Sequence, residues 1–353
     1  MSVNQYYTDV VQFKGNHYDF GYMQGELLKG SALLFNREKQ RASRRKHQFL
    51  INEQEAIDLF SIYMPSMLDE LRGLVDSLGW TMKKALTEFG GYYVEYERSG
   101  CTILTDSKYM VRNYDSNPAY YEGRYVIFRP TDGGYATIGP SMQITGRTDG
   151  MNEKGLAMGY NFVNRVGSGD GFVCNMIGRM ILETCANVNE AILLLKNIPH
   201  RTLFNYILLD PSGETYVVET SPRKVEARKS NISTNHFELL TDENRYRMDD
   251  SLRRTKILEA EQNGHLGMFD AFQLLNNQEK DIFSNKYDAS AGTIHTTAYL
   301  PREMKALFAI GGNRMPVIFD FQSILAGETT NIKQIKGQLE YDQPFANMEG
   351  IHM

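Results

Sequence analysis

The sequence predicts an α+β fold: two antiparallel sheets stacked on each other, covered by helices, behind a helical N-terminal segment. Three observations predict it. Apolar residues in the first hundred positions recur at three- and four-residue spacing. From Cys101 onward, short strand-like runs paired across turns take over. Helix pairs then separate the strand groups, and a helix or sheet with one apolar face must bury it against another layer. No low-complexity linker or short repeat interrupts the chain, so 1–100 and 101–353 read as two parts of one compact domain.

In order, residues 10–13 read as a strand, Lys14-Gly15-Asn16 as a turn, and the following stretch as a helix with Gly21 and Gly25 on one face for close packing. Residues 36–47 hold Arg37, Lys39, Arg41, Arg44, Arg45 and Lys46. Such a run reads first as a solvated helix face, and second as a surface for an anionic ligand. Over 55–78, Ile57, Phe60, Met64, Met67, Leu68, Leu71, Leu74 and Leu78 keep helical spacing, with Pro65 as a kink or a join and Gly79 as a stop. A further helix covers 81–93.

After Cys101 the strands are 102–105 and 109–112 around Asp106-Ser107-Lys108, then 125–129 and 135–139 around Pro130-Thr131-Asp132-Gly133-Gly134. A tight turn at 150–155 leads into a strand at 156–162, and two helices follow within 172–197. Strands at 205–210, 215–219 and 225–227 precede helices at 250–262 and 268–277, and a last strand pair covers 293–299 and 305–310.

Composition excludes several classes of function. The chain has 353 residues and is 42% hydrophobic, enough for a large core. Its 38 basic and 43 acidic residues give a net charge of −5, without the basic excess of a nucleic-acid binder. Three cysteines, Cys101, Cys174 and Cys185, are too few for a disulfide framework and fit a reducing compartment. Residues 1–9 lack the basic start and apolar core of a signal peptide, and no apolar run approaches a membrane span. The expectation is a cytoplasmic protein with no membrane or nucleic-acid partner. The seven histidines show no metal-ligand spacing and no phosphate-binding glycine loop is present, so neither a metal nor a cofactor is expected.

The chemistry points to Gly100-Cys101. A thiol at Cys101 can attack the carbonyl of Gly100, which has no Cβ to block the approach. The amide becomes a thioester, and water then cuts the chain. The freed α-amine, with an ordinary pKa of about 7.7–8.0, suits a general base near neutral pH. One residue then supplies both nucleophile and base. A buried core cysteine is the plainer alternative for those residues alone.

Further motifs favour the functional reading. Gly100-Cys101-Thr102 with Arg112-Asn113-Tyr114-Asp115 resembles the linear amide C–N hydrolases of the N-terminal nucleophile superfamily. These include choloylglycine hydrolases, penicillin V acylases and acyl-CoA:6-aminopenicillanic acid acyltransferases. Gly150-Met151-Asn152-Glu153-Lys154-Gly155-Leu156 with Gly159-Tyr160-Asn161-Phe162 resembles the choloylglycine hydrolase pattern. Ser233-Thr234-Asn235-His236-Phe237 is similar to the Thr-Asn segment after the central strands, and residues 15–25 resemble the N-terminal signature of the acyltransferase branch. A cysteine that follows a hundred residues also resembles that branch, with its internal Gly-Cys cut. The resemblance implies an αββα sandwich, cut into a 1–100 α chain and a 101–353 β chain that stay together as a heterodimer or build a higher oligomer.

The resemblance and the chemistry together imply roles. Cys101 is the nucleophile. Arg112 stands near the thiol and favours thiolate, and Asp115 holds the freed amine; a surface Arg–Asp pair is the structural alternative. Asn161 and Asn235 are the oxyanion-hole candidates, since the tetrahedral intermediate needs uncharged donors already aimed at the oxygen. Arg254 is a supporting arginine, with Arg253 as its competitor. His236 invites a Cys–His pairing, but the sequence around Cys101 lacks that signature. Cys174 and Cys185 read as core. The expected activity is hydrolysis of an N-acylated small molecule through an acyl-thioester on Cys101. Alternatives are acyl transfer from a thioester donor such as acyl-CoA, and a binding protein on the same fold that has lost its chemistry.

Overall fold

The computed structural model describes residues 3–43, 52–92, 100–164, 166–262 and 266–349. Among them, ten strands form one sheet. Its order is Val225–Lys229, Thr215–Thr220, Leu203–Leu209, Ala157–Asn164, Asp149–Asn152, Thr137–Met142, Arg124–Pro130, Asn4–Gly15 and Gln334–Leu339, with Gly146–Arg147 beside Thr137–Met142. Seven strands form the second, in the order Ile232–Ser233, Cys101–Thr105, Met110–Ser116, Ala291–Leu300, Lys305–Ile310 and Val317–Asp320, with Asn285–Lys286 beside Ala291–Leu300.

Strand alternation sorts the side chains into layers. Ile207 and Leu209 of the larger sheet meet Cys101, Ile103, Tyr114 and Phe308 of the smaller one in a core between the sheets. Tyr206 and Leu208, one residue out of phase, face a second core against the helices Ser66–Leu78 and Cys174–Thr184. Leu104, Val111 and Ala309 on the outer face of the smaller sheet pack against Asp249–Gln262 and Met268–Asn276. The result is the αββα order that the resemblance implies.

Local signals account for the helix bounds. Asn52 caps Glu53–Tyr63, and the helix ends before Pro65, which marks a join: Ser66–Leu78 begins directly after it. Gly21 lets His17–Leu28 cross Ser66–Leu78 closely, since a Cβ there would sit 1.9 Å from Glu70 O. No helix among the described residues is long and apolar enough to cross a membrane.

Several features differ from the sequence expectations. The first strand spans Asn4–Gly15, far longer than 10–13, and lies inside the larger sheet. It pairs in parallel with Arg124–Pro130 and antiparallel with Gln334–Leu339, so that sheet is not wholly antiparallel. A parallel pairing needs a long crossover, and the helices between the two strands supply it. Strands at Val317–Asp320 and Gln334–Leu339 were not expected, and residues 150–152, read as part of a tight turn, belong to the strand Asp149–Asn152. Of the basic run, Arg37 is not a solvated surface charge: it pairs with buried Glu122 and donates to Glu88 O at 3.1 Å. Residues 44–47 lie outside the described residues.

Candidate active site

Cys101 opens a strand whose five residues are all buried. Its neighbour is Met110–Ser116, in antiparallel register with Cys101 opposite Tyr114 and Ile103 opposite Arg112. Cys101, Ile103, Arg112 and Tyr114 therefore share the face between the sheets, while Asn113 and Asp115 share the opposite face. This placement brings Arg112 Nη2 to 3.3 Å from Cys101 Sγ.

The guanidinium is held from several sides. It donates to Tyr160 O at 2.7 Å and Thr148 O at 2.9 Å, and pairs with the Asp149 carboxylate. It also lies over the rings of Tyr114 and Tyr160, at 4.9 Å from each centroid. Asp149 in turn accepts from Thr297 Oγ1 at 2.8 Å and Tyr299 Oη at 2.7 Å. Burial pushes the Asp149 carboxyl up, but Arg112 and the neighbouring donors outweigh it and hold the group well below the usual carboxylate range. The sequence reading missed Asp149, although it stands directly before the Gly150 motif.

The thiol behaves differently from the expectation. Burial raises the Cys101 pKa, and the opposing pull of Arg112 does not cancel it. The sulfur is therefore a thiol with an arginine beside it.

Three side chains grip the Cys101 backbone. Its N–H donates to Asn235 Oδ1 at 3.1 Å, and its carbonyl accepts from Asn161 Nδ2 at 3.0 Å and Arg254 Nη1 at 2.7 Å. Arg254 Nη2 also donates to Asn235 Oδ1 at 2.8 Å. Two donors on one atom fix the amide orientation, so Asn235 Nδ2 is the group that faces Phe162 O, at 2.7 Å. The two adjacent arginines are placed differently. Arg254 reaches Cys101, Thr102 and Asn235, whereas Arg253 is exposed and turns to Asp250 and Asp281.

Gly100 lies against Asp115. The Asp115 N–H donates to Gly100 O at 3.3 Å. A Cβ on Gly100 would stand 2.8 Å from Asp115 Oδ2, so only glycine fits without displacing the carboxyl. Thr293 Oγ1 donates to Asp115 Oδ1 at 2.7 Å. Burial pushes the Asp115 carboxyl up to about 6, against the opposing pull of Arg254 and Thr293. A cleft of about 190 Å³ opens at this point, lined among others by Gly100, Asp115, Asp250, Arg254, Ile282 and Phe283. Residues Glu97, Arg98 and Ser99 lie outside the described residues.

The other candidates fall elsewhere. His236 bonds with Ser251 Oγ at 2.9 Å and Thr234 Oγ1 at 3.1 Å, behind Asn235 rather than at the sulfur. Ser251 Oγ also accepts from Asn235 N at 2.7 Å, which makes it an unforeseen support of that residue. Cys174 and Cys185 are buried and unbridged. Among the described residues no cluster of His, Cys, Asp and Glu is arranged to hold a metal ion.

Comparison with known proteins adds the following. A family model described as acyl-coenzyme A:6-aminopenicillanic acid acyl-transferase matches residues 103–315, more than half of the chain. No curated protein matches it. Among solved structures, a conjugated bile acid hydrolase from Clostridium perfringens is 14% identical, covering 72% of this chain and 100% of its own, at a TM-score of 0.47. Penicillin V acylase from Agrobacterium tumefaciens is 16% identical over 62% of this chain and 84% of its own, at 0.40. An N-acylethanolamine-hydrolyzing acid amidase ortholog from Caenorhabditis elegans is 11% identical over 57% and 93%, at 0.39.

Proposed function

Because the chain belongs to the acyl-coenzyme A:6-aminopenicillanic acid acyl-transferase family, we propose that it is a self-processing cysteine amidohydrolase. It cuts itself between Gly100 and Cys101 and then cleaves the linear amide of an N-acylated small molecule. The observation that carries this reading is the junction itself. Arg112 stands 3.3 Å from the Cys101 sulfur, and the Asp115 N–H lies 3.3 Å from the carbonyl oxygen to be attacked.

In the first reaction the Cys101 thiol passes its proton by way of a water to the Asp115 carboxylate, which lies on the opposite face of the strand pair, and sulfur bonds to the Gly100 carbonyl carbon. The resulting oxyanion is met by the Asp115 N–H. The C–N bond breaks as the proton passes from Asp115 to the Cys101 nitrogen. Water then hydrolyses the thioester, freeing the Gly100 carboxylate and the Cys101 thiol beside the α-amine already released. In turnover that amine takes the thiol proton as sulfur bonds to the substrate carbonyl carbon, and delivers it to the leaving nitrogen as the C–N bond breaks; water then hydrolyses the acyl-thioester, releasing the acid and the thiol, while Asp115 holds the ammonium. The donors to the substrate oxyanion are assigned to the Nδ2 groups of Asn235 and Asn161, and Arg254 keeps Asn235 in place.

The cut pieces stay associated, since the strand Asn4–Gly15 is paired on both edges with strands of 101–353. A cytoplasmic location fits the three free thiols. The second reading is transfer of the acyl group to an amine from a thioester donor such as acyl-CoA, and the family's own description favours it.

The test is direct. Denaturing electrophoresis of the purified protein resolves fragments 1–100 and 101–353, and the larger begins Cys-Thr-Ile-Leu. Cys101→Ala abolishes both the cut and turnover on a panel of penicillin V, conjugated bile salts, acyl-homoserine lactones and N-acyl amino acids. A single intact chain with full activity, or an active alanine variant, overturns the reading. An acyl-CoA donor with an amine acceptor distinguishes transfer from hydrolysis.

A further inference from the structure

The strand Ala291–Leu300 carries an irregularity against Met110–Ser116: Thr293 stands opposite Asp115, but His295, not Ile294, stands opposite Tyr114. One extra residue is taken up there, as in a β-bulge. Its consequence is visible in the hydroxyls. Thr293 Oγ1 donates to Asp115 Oδ1 at 2.7 Å and Thr296 Oγ1 donates to Asn113 Oδ1 at 2.8 Å. These threonines are three residues apart, so strict alternation would send them to opposite faces. Thr297 Oγ1 reaches Asp149, which belongs to the face between the sheets. Without the bulge, Thr293 would share that face with Thr297 and could not reach Asp115.

The hydroxyl has a second partner. Ser284 N–H donates to Thr293 Oγ1 at 3.0 Å. A backbone N–H can only donate, so the Thr293 proton is directed to Asp115 Oδ1. Oδ1 is thereby committed as an acceptor. Among the described residues no hydrogen-bond donor reaches Oδ2, the oxygen beside Gly100.

We propose that Thr293 is a positioning residue: through this one-way hydrogen bond it makes Asp115 Oδ2 the atom that takes up and releases the proton at the Gly100–Cys101 junction. The inference rests on the reading of Asp115 given above. It also ties the cleft to the chemistry, because Ser284 lines the cleft and holds the same hydroxyl.

The test uses self-cleavage, which needs no substrate. Full-length precursor is synthesised in vitro, and the rate of its cut is followed from pH 5 to 9 for wild type, Thr293→Val, Thr293→Ser and Asp115→Asn. Removing a donor to the ionised carboxylate raises its pKa. Thr293→Val therefore moves the acid limb of the profile upward by about 0.5–1 pH unit and slows the cut at neutral pH. Thr293→Ser, which keeps the donor, restores the wild-type midpoint. If Thr293→Val fails to fold, Thr293→Cys, whose thiol is a weak donor, shows the same shift in smaller size. A Thr293→Val or Thr293→Cys profile that superimposes on wild type, with Asp115→Asn impaired, overturns the role of Thr293 alone. A wild-type rate and profile in Asp115→Asn overturns the role of Asp115 and this inference with it.

Discussion

Arg112 Nη2 stands 3.3 Å from Cys101 Sγ, yet the thiol of the uncut chain is held above its ordinary pKa, because burial of the sulfur outweighs the guanidinium. The thiolate is the reactive form. The proposed cut, by opening the site, would lift the burial cost and leave the arginine. Cys101 in an uncut variant therefore resists iodoacetamide at pH 7.5, while the processed enzyme is labelled quickly. Peptide mapping separates this site from Cys174 and Cys185. Equal labelling rates before and after processing would show that burial does not control the thiol.

Gly100→Ala places a Cβ 2.8 Å from Asp115 Oδ2. The carboxyl or the scissile peptide must shift, and a displacement of about 1 Å can cost on the order of 10²-fold in rate. We expect at least a tenfold slower cut on that scale, roughly, with folding retained as judged by circular dichroism. Wild-type cleavage kinetics in this variant would show that the contact is slack.

Asn235→Ala deletes the acceptor of the Cys101 N–H and of Arg254, together with a candidate oxyanion donor. Losing such a donor costs about 10²–10³ in kcat, with KM little changed because the bond strengthens only in the transition state. The measurement is made on the fraction of protein that has already cut itself. A near wild-type kcat there transfers the oxyanion role to Asn161 or a backbone amide.

Asp149→Asn leaves the Arg112 charge buried without its carboxylate. Breaking one side of a buried pair costs about 3–5 kcal/mol. Denaturant titration of Cys101→Ala protein, with and without Asp149→Asn, reads this difference without interference from cleavage. A loss below about 1 kcal/mol would place the pair among those of little stability value.

Asp115 makes stability depend on pH. Its carboxyl titrates at about 6 in the folded chain, above its ordinary value of 3.8. A raised carboxyl pKa contributes stability that is fully present below the unfolded value and is lost as pH rises through the folded one. Asp115→Asn, in the Cys101→Ala background, should therefore be more stable than its parent at pH 8, by up to about 3 kcal/mol. The gain fades between pH 6 and about 4. A gain that does not change over this range would mean that Asp115 is not ionising in a buried site.

Much of the candidate site was legible in the sequence because its residues lie close together in the chain. Gly100 and Cys101 are adjacent, and Arg112 and Asp115 lie on the next strand of the same hairpin, so register alone brings them together. Helical spacing marked the N-terminal helices, and Pro65 marked a join between two of them. Tertiary structure decided the rest, because it depends on partners distant in the chain. Asp149 and Thr293 reach the site only when the two sheets stack and a bulge turns one hydroxyl to the other face. The choice of Arg254 over Arg253 depends on which side of the helix Asp249–Gln262 faces Cys101. The sign of the Cys101 shift likewise depends on burial, since a nearby arginine favours thiolate but only the packed interior fixes the cost of a charge there.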